Sequence, residues 1–214
     1  MFPISFILLL FIALPFLFLI VNYRISELAF VKLGIPKNLV FTIFALSLLG
    51  SLINIPLWSR KIKIKEKQLP FPFSVFFYYP PRVQEQTIAI NFGGAVMPIL
   101  ISIYLLKFAP FIEVLIATLV ITLLSKFLAK PVKGIGIAMP AFIPPLVSAV
   151  LAMLLSPHNA APVAYISGTL GVLVGADLLN LNKLSKMGGY ILSIGGAGVF
   201  DGIFLVGIIS ALLA

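Results

Sequence analysis

The sequence predicts an all-α fold: a polytopic membrane helix bundle of about seven transmembrane helices with a short basic and aromatic cytoplasmic loop. Of its 214 residues, 61% are hydrophobic and 10% charged, and the mean hydropathy is +1.20, far from the balance of a soluble domain. Apolar stretches near Phe2–Val21, Leu39–Trp58, Thr87–Phe108, Phe111–Ala129, Ile135–Leu155, Ala161–Leu181 and Ile194–Ala214 each approach the ~20 residues that carry a helix across ~30 Å of hydrocarbon. Backbone groups cannot be left unpaired in lipid, and these stretches lack the alternation of barrel strands, so helices are expected throughout.

Residues 1–214 read as a single integral membrane domain. The first stretch has no basic n-region and no small-residue cleavage site, and reads as a retained helix. Basic residues set the orientation. With the N-terminus cytoplasmic, the inner loops hold Arg60, Lys61, Lys63, Lys65, Lys67, Arg82, Lys126, Lys130, Lys133, Lys183 and Lys186, while the outer side holds Arg24, Lys32, Lys37 and Lys107. The inner excess matches the positive-inside rule and implies a plasma-membrane protein with an extracytoplasmic C-terminus. Topology and anionic lipid headgroups explain the net charge of +9, so membrane lipids are expected partners and nucleic acid is not.

The one long connection, between the second and third stretches, contains the alternation Lys61-Ile62-Lys63-Ile64-Lys65 and the aromatic run FPFSVFFYYPP. It reads as a basic interfacial loop; the sharper reading is a cytoplasmic strand that pairs with an extended peptide by edge addition.

Only six acids occur. Glu27, Glu66 and Glu85 fall in loops, and Glu113 snorkels at the outer end of the fourth stretch. Asp177 and Asp201 fall inside the last two spans, where a carboxylate costs about 3 kcal/mol even on a lenient insertion scale, so both are candidate functional residues. At 1.5 Å per residue Asp177 lies roughly 6 Å and Asp201 roughly 10 Å inside the cytoplasmic boundary. Consecutive spans joined by a short connection are expected to be antiparallel neighbours.

Glycines at 168, 171 and 175, and at 195, 198 and 202, form a small-residue ridge along each of these spans and predict close packing between them. Asp201 falls about 60° from Gly198, on the flank of its ridge. Asp177 falls roughly 150° from its own ridge, on the face of Asn180, so either the helix loosens after Gly175 or the aspartates face different cavities.

Two adjacent carboxylates cannot both ionise, and a singly protonated pair activates water while protonating a carbonyl. Asp177 and Asp201 are therefore the catalytic candidates, with Gly195, Gly196, Gly198, Gly202, Asn180 and Asn91 as candidate substrate-binding residues. That chemistry needs no cofactor and no metal. The absence of cysteine excludes thiolate catalysis and thiolate metal sites. The lone His158 reads as a loop residue, and no GxSxG, HExxH or Walker motif occurs.

The segments GADLLNL (175–181), SIGGAGVFDGIFL (193–205) and INFGGAVMPILISIYLL (90–106) resemble a family of uncharacterised multi-pass membrane proteins of archaea and bacteria, over most of the chain from Asn91 onward. More distantly, an aspartate in one span and a glycine-rich aspartate motif in the next resemble the GxGD intramembrane aspartyl proteases, the class of presenilin, signal peptide peptidase and prepilin peptidase. That resemblance implies Asp177 and Asp201 as the catalytic pair and a transmembrane peptide as substrate. The chain departs from the motif in placing Val199 and Phe200 between Gly198 and Asp201.

A transport reading stands beside it. NFGGAVMP and GIGIAMPAFIPP would break helices at mid-membrane, and the aspartates would then relay protons or cations. GGA recurs at Gly93–Ala95 and Gly195–Ala197, entering the membrane in the same direction, which fits a parallel internal duplication. In a third reading the chain is a non-catalytic scaffold whose aspartates hydrogen-bond across the bundle.

Overall fold

The computed structural model describes residues 4–64, 82–132, 136–186, 190–196 and 202–214. It is mostly helical, with a small sheet built into one end. Helix α1 spans Ile4–Lys32. It stops at Gly34, whose φ of 77° suits glycine. There Ile35 N–H donates to Phe30 O at 2.9 Å and Gly34 N–H to Val31 O at 3.0 Å. This double closure ends a helix at a left-handed residue, and Pro36 prevents its resumption. Helix α2, Lys37–Gly50, returns alongside α1.

Strands β1, Asn54–Ile64, and β2, Arg82–Asn91, pair antiparallel. Lys61–Ile64 of the Lys-Ile alternation thus lies in a strand; Lys65 and the aromatic run lie outside the described residues. The ladder shifts between Pro56 and Trp58, where proline has no N–H to donate. A π-helical turn, Phe92–Val96, leads from β2 into α3, Met97–Leu105. Helix α4 spans Phe111–Leu128, with Glu113 in its first turn, where the helix dipole favours an acid. A two-stranded hairpin, β3 Lys130–Val132 and β4 Gly136–Ala138, precedes α5, Ile143–Leu155.

The sixth span is helix α6, Ala160–Val172, continued by a π-turn at Leu173–Asp177, a 3-10 turn at Leu178–Asn180 and the short helix α7, Leu181–Lys186. Strand β5, Ile191–Ile194, then lies parallel to β2, and α8 spans Gly202–Leu213. The sheet order is β1–β2–β5.

Among the described residues three helices are long and apolar enough to cross a membrane: Phe11–Lys32, Phe111–Leu128 and Pro157–Lys183. Four apolar helices are shorter: Lys37–Gly50, Phe92–Leu105, Ile143–Leu155 and Gly202–Leu213. The fold is mostly helical as expected, yet it also carries strands, and three rather than seven of its described helices have the length of a full span. The second, third, fifth and seventh apolar stretches each run into a strand, because residues such as Thr87–Asn91 and Ile194 are apolar enough to look like helix ends yet pair in a ladder.

Two apolar clusters hold the bundle. One joins Phe30 of α1, Leu105 of α3, Ala117 of α4, Tyr165 and Ile166 of α6, and Phe204 and Ile208 of α8; its Phe30 and Phe204 rings meet edge to face at 6.3 Å. The other packs Ile88 of β2, Ala95, Ile121, Ala176, Ile194 and Ile203 where the sheet joins the helices.

Candidate functional site

The site is built where the sixth span loses its regular winding. A π-turn takes in one residue more than an α-turn, which rotates the residues beyond it by about 100°. Spanning Leu173–Asp177, this turn re-aims Asp177 relative to the glycine ridge that precedes it. Asp177 closes the π-turn and is half-buried, and its Oδ2 accepts the N–H of Gly195 at 2.7 Å.

Gly195 is fixed from the other side. Its φ is 83°, and a Cβ there would lie 2.8 Å from the Ala95 nitrogen in the π-turn after β2. Both the backbone conformation and the space require glycine. Gly196 follows with φ 77°.

The direction of β5 follows from the ladder. Thr87 N–H donates to Tyr190 O at 2.8 Å, so alternate residues from Tyr190 turn their backbone groups toward β2. Ile191, Ser193 and Gly195 turn theirs to the outer edge of the sheet. Among the described residues no strand pairs with that edge, and the Asp177 carboxylate sits at its end.

A buried polar node locks the three strands in register. Asn91 is fully buried; its Oδ1 caps the π-turn by accepting Gly94 N–H at 2.7 Å, and its Nδ2 donates to Ser51 O at 2.7 Å and Asn54 Oδ1 at 3.2 Å. Ser193 Oγ donates to the same Asn54 oxygen at 2.6 Å. The single asparagine at 54 thus ties β1 to β2 and β5, two residues before the Asp177 contact.

A family model described as a protein of unknown function, DUF1614, matches residues 48–213. The chain belongs to the DUF1614 family. The matched region takes in the sheet, α3 to α8 and both aspartates, and leaves α1 and most of α2 outside. No curated protein and no solved structure matches the chain. The expected kinship with an uncharacterised family is met, over residues 48–213 rather than from Asn91 onward, while nothing in these comparisons links the DUF1614 chain to GxGD proteases.

The remaining expected residues of the DUF1614 site fall in different places. Asp201 and Gly198 lie outside the described residues. Gly202 opens α8, and a Cβ there would meet nothing. Asn180 is fully buried, and its Nδ2 donates to Gly175 O at 3.2 Å and Ala176 O at 3.1 Å. It thereby satisfies carbonyls of the π-turn rather than reaching across the bundle. Among the described residues no group of three His, Cys, Asp or Glu side chains could hold a metal.

The glycine ridge of the sixth span serves more than one neighbour. Gly168 meets Ser210, Val206 and Ser148, on α8 and α5, whereas Gly171 and Gly175 meet Ile121, Thr122 and Ser125 on α4. Close approach of α8 to α6 depends also on Gly207, against Tyr165 and Thr169. Asn54, Ser193 and Gly207 carry this geometry, and a sequence reading centred on acids and on GGA repeats passes over them. The one available signal was polarity: Asn54 and Asn91 are the asparagines that face each other at the end of the β1–β2 ladder.

Proposed function

We propose that this protein is an intramembrane aspartyl protease in which Asp177 and Asp201 form the water-activating pair. The supporting observation is the Asp177 carboxylate, held by Gly195 N–H at the end of the outer edge of β5, on the segment that continues through the sequence to Asp201. An extended peptide added to that edge would be held by the backbone groups of Ile191 and Ser193 and would bring a carbonyl toward the carboxylate.

In the chemistry proposed, the ionised carboxylate takes a proton from water as the water oxygen bonds to the peptide carbon, and the protonated carboxyl gives its proton to the carbonyl oxygen. Collapse then breaks the C–N bond as the newly protonated carboxyl gives its proton to the leaving nitrogen and the other carboxylate takes a hydroxyl proton from the diol, leaving an acid, an amine and the singly protonated pair. The substrate is a transmembrane peptide unwound into an extended form.

The orientation proposed is a plasma-membrane protein with about seven membrane-inserted helices, the N-terminus cytoplasmic and the C-terminus extracytoplasmic. Lys32 Nζ donates to Leu212 O at 3.0 Å, which brings the C-terminal ends of α1 and α8 together and supports a shared side for them. A reporter fused after Ala214 is expected outside and one inserted near Lys65 inside.

The broken sixth span also suits a proton- or cation-coupled transporter, since interrupted helices supply backbone groups at a binding site. The deciding experiment is cleavage of candidate membrane peptides in reconstituted vesicles. Wild type is expected to cleave, and Asp177→Asn and Asp201→Asn to fold and not cleave. Cleavage that survives either substitution refutes the protease; ion flux without cleavage selects the transporter.

A further inference from the structure

We propose that the broken turn of the sixth span is a hydrated site, in which a water molecule donates hydrogen bonds to Asn180 Oδ1 and Ser125 Oγ. This goes beyond the protease reading and does not rest on it.

Asn180 and Ser125 are both fully buried, and neither Asn180 Oδ1 nor Ser125 Oγ has a hydrogen-bond partner. The Asn180 amide cannot be turned round to relieve this, because its nitrogen is spent on the carbonyls of Gly175 and Ala176. Its oxygen accepts only. Ser125 borders the same turn: its Cβ lies 2.9 Å from where a Cβ on Gly175 would stand. Both atoms therefore flank Gly175, the residue that the π-turn encloses.

Left dry, each oxygen would cost about 1–3 kcal/mol. A ligand that relieves both must offer hydrogen-bond donors and fit between packed helices, which describes water better than an anion or an apolar molecule. Thr118 Oγ1, two turns earlier on the same face of α4 as Ser125, is also without a partner. Elsewhere in the bundle Ser102 donates to Pro98 O at 2.8 Å and Ser210 to Val206 O at 2.6 Å, so those hydroxyls need no water. Lys183, which ends the span one helical turn beyond Asn180, is charged and exposed, which leaves the seam a short way from the polar end of the span.

The chain has no cysteine, so a single introduced thiol reports its own surroundings. In vesicles treated with a small cationic methanethiosulfonate, Ser125→Cys is expected to react at least about tenfold faster than Ser102→Cys, although both serines are buried, because a thiol sealed in apolar surroundings is inert. Equal rates would overturn the proposal. Should Ser125→Cys fail to fold, radiolytic oxidation of the wild-type chain replaces it: label is expected on buried Leu173, beside the turn, and not on buried Leu105, and an unlabelled Leu173 would overturn the proposal. A wet turn in a chain that cleaves nothing would sink the protease and leave this site standing; proteolysis with a dry turn would do the reverse.

Discussion

The first and sixth spans have the same mean hydropathy, 1.5, yet 6% of the first is buried inside the protein against 67% of the sixth. The first winds as one unbroken helix of 29 residues, with Phe11, Phe16 and Leu17 exposed and its buried residues, such as Ser26, Ala29 and Phe30, gathered toward its C-terminal end. The sixth is wound as α-helix, π-turn and 3-10 turn, and carries Thr169, Asp177 and Asn180. Irregular backbone at membrane depth is tolerated only where protein or water satisfies it. The buried span can therefore hold a broken turn and a carboxylate, whereas the exposed apolar span must satisfy every backbone group within itself.

That contrast can be broken most forcefully at Gly175. A Cβ there would run into the Thr122 carbonyl oxygen and Ser125 Cβ, and backbone cannot step aside as a side chain can. Gly175→Val is expected to cost about 3 kcal/mol or more by overpacking, read as a lowered unfolding midpoint in detergent. Asn180→Leu comes next. It strips the Gly175 and Ala176 carbonyls of their donors and is expected to cost about 2–3 kcal/mol in the same measurement. Asn91→Ala should lose about 1–2 kcal/mol, as the cap on Gly94 N–H is removed, with limited proteolysis reporting a looser junction between β2 and α3.

At the far end stands the first span. Phe16→Ala, at a residue 64% exposed, is expected to move the midpoint by under about 0.5 kcal/mol. A large loss there would mean that this face is covered by protein, and the contrast between the spans would fail.

Composition made the helical, membrane-type character legible, and the two aspartates stood out because few other charges lie within the apolar stretches. The angular misfit of Asp177 left two readings, a helix that loosens after Gly175 or aspartates that face different cavities, and a π-turn spans Leu173–Asp177. The sheet was hidden for a physical reason. Thr87–Asn91 and Ile191–Ile194 are short and lie partly against the core, so their apolar residues do not alternate cleanly and merge with the helices that follow. The GGA repeats proved informative in another way: β2 and β5 run parallel, and each leads through glycines toward a helix. Asn54 could not be singled out, because its role depends on Ser193, 139 residues away in sequence, and only tertiary pairing brings them together.

The pairing of Asp177 with Asp201 is the central claim, and the cysteine-free background allows a direct measurement of it. Asp177→Cys combined with Asp201→Cys, treated in membranes with a short bifunctional thiol reagent, is expected to give an intramolecular cross-link that protects one site from later labelling. The same reagent should leave Asp177→Cys combined with Ser102→Cys unlinked. Efficient modification of both thiols of the first pair without any cross-link would contradict a carboxylate pair, and with it the protease.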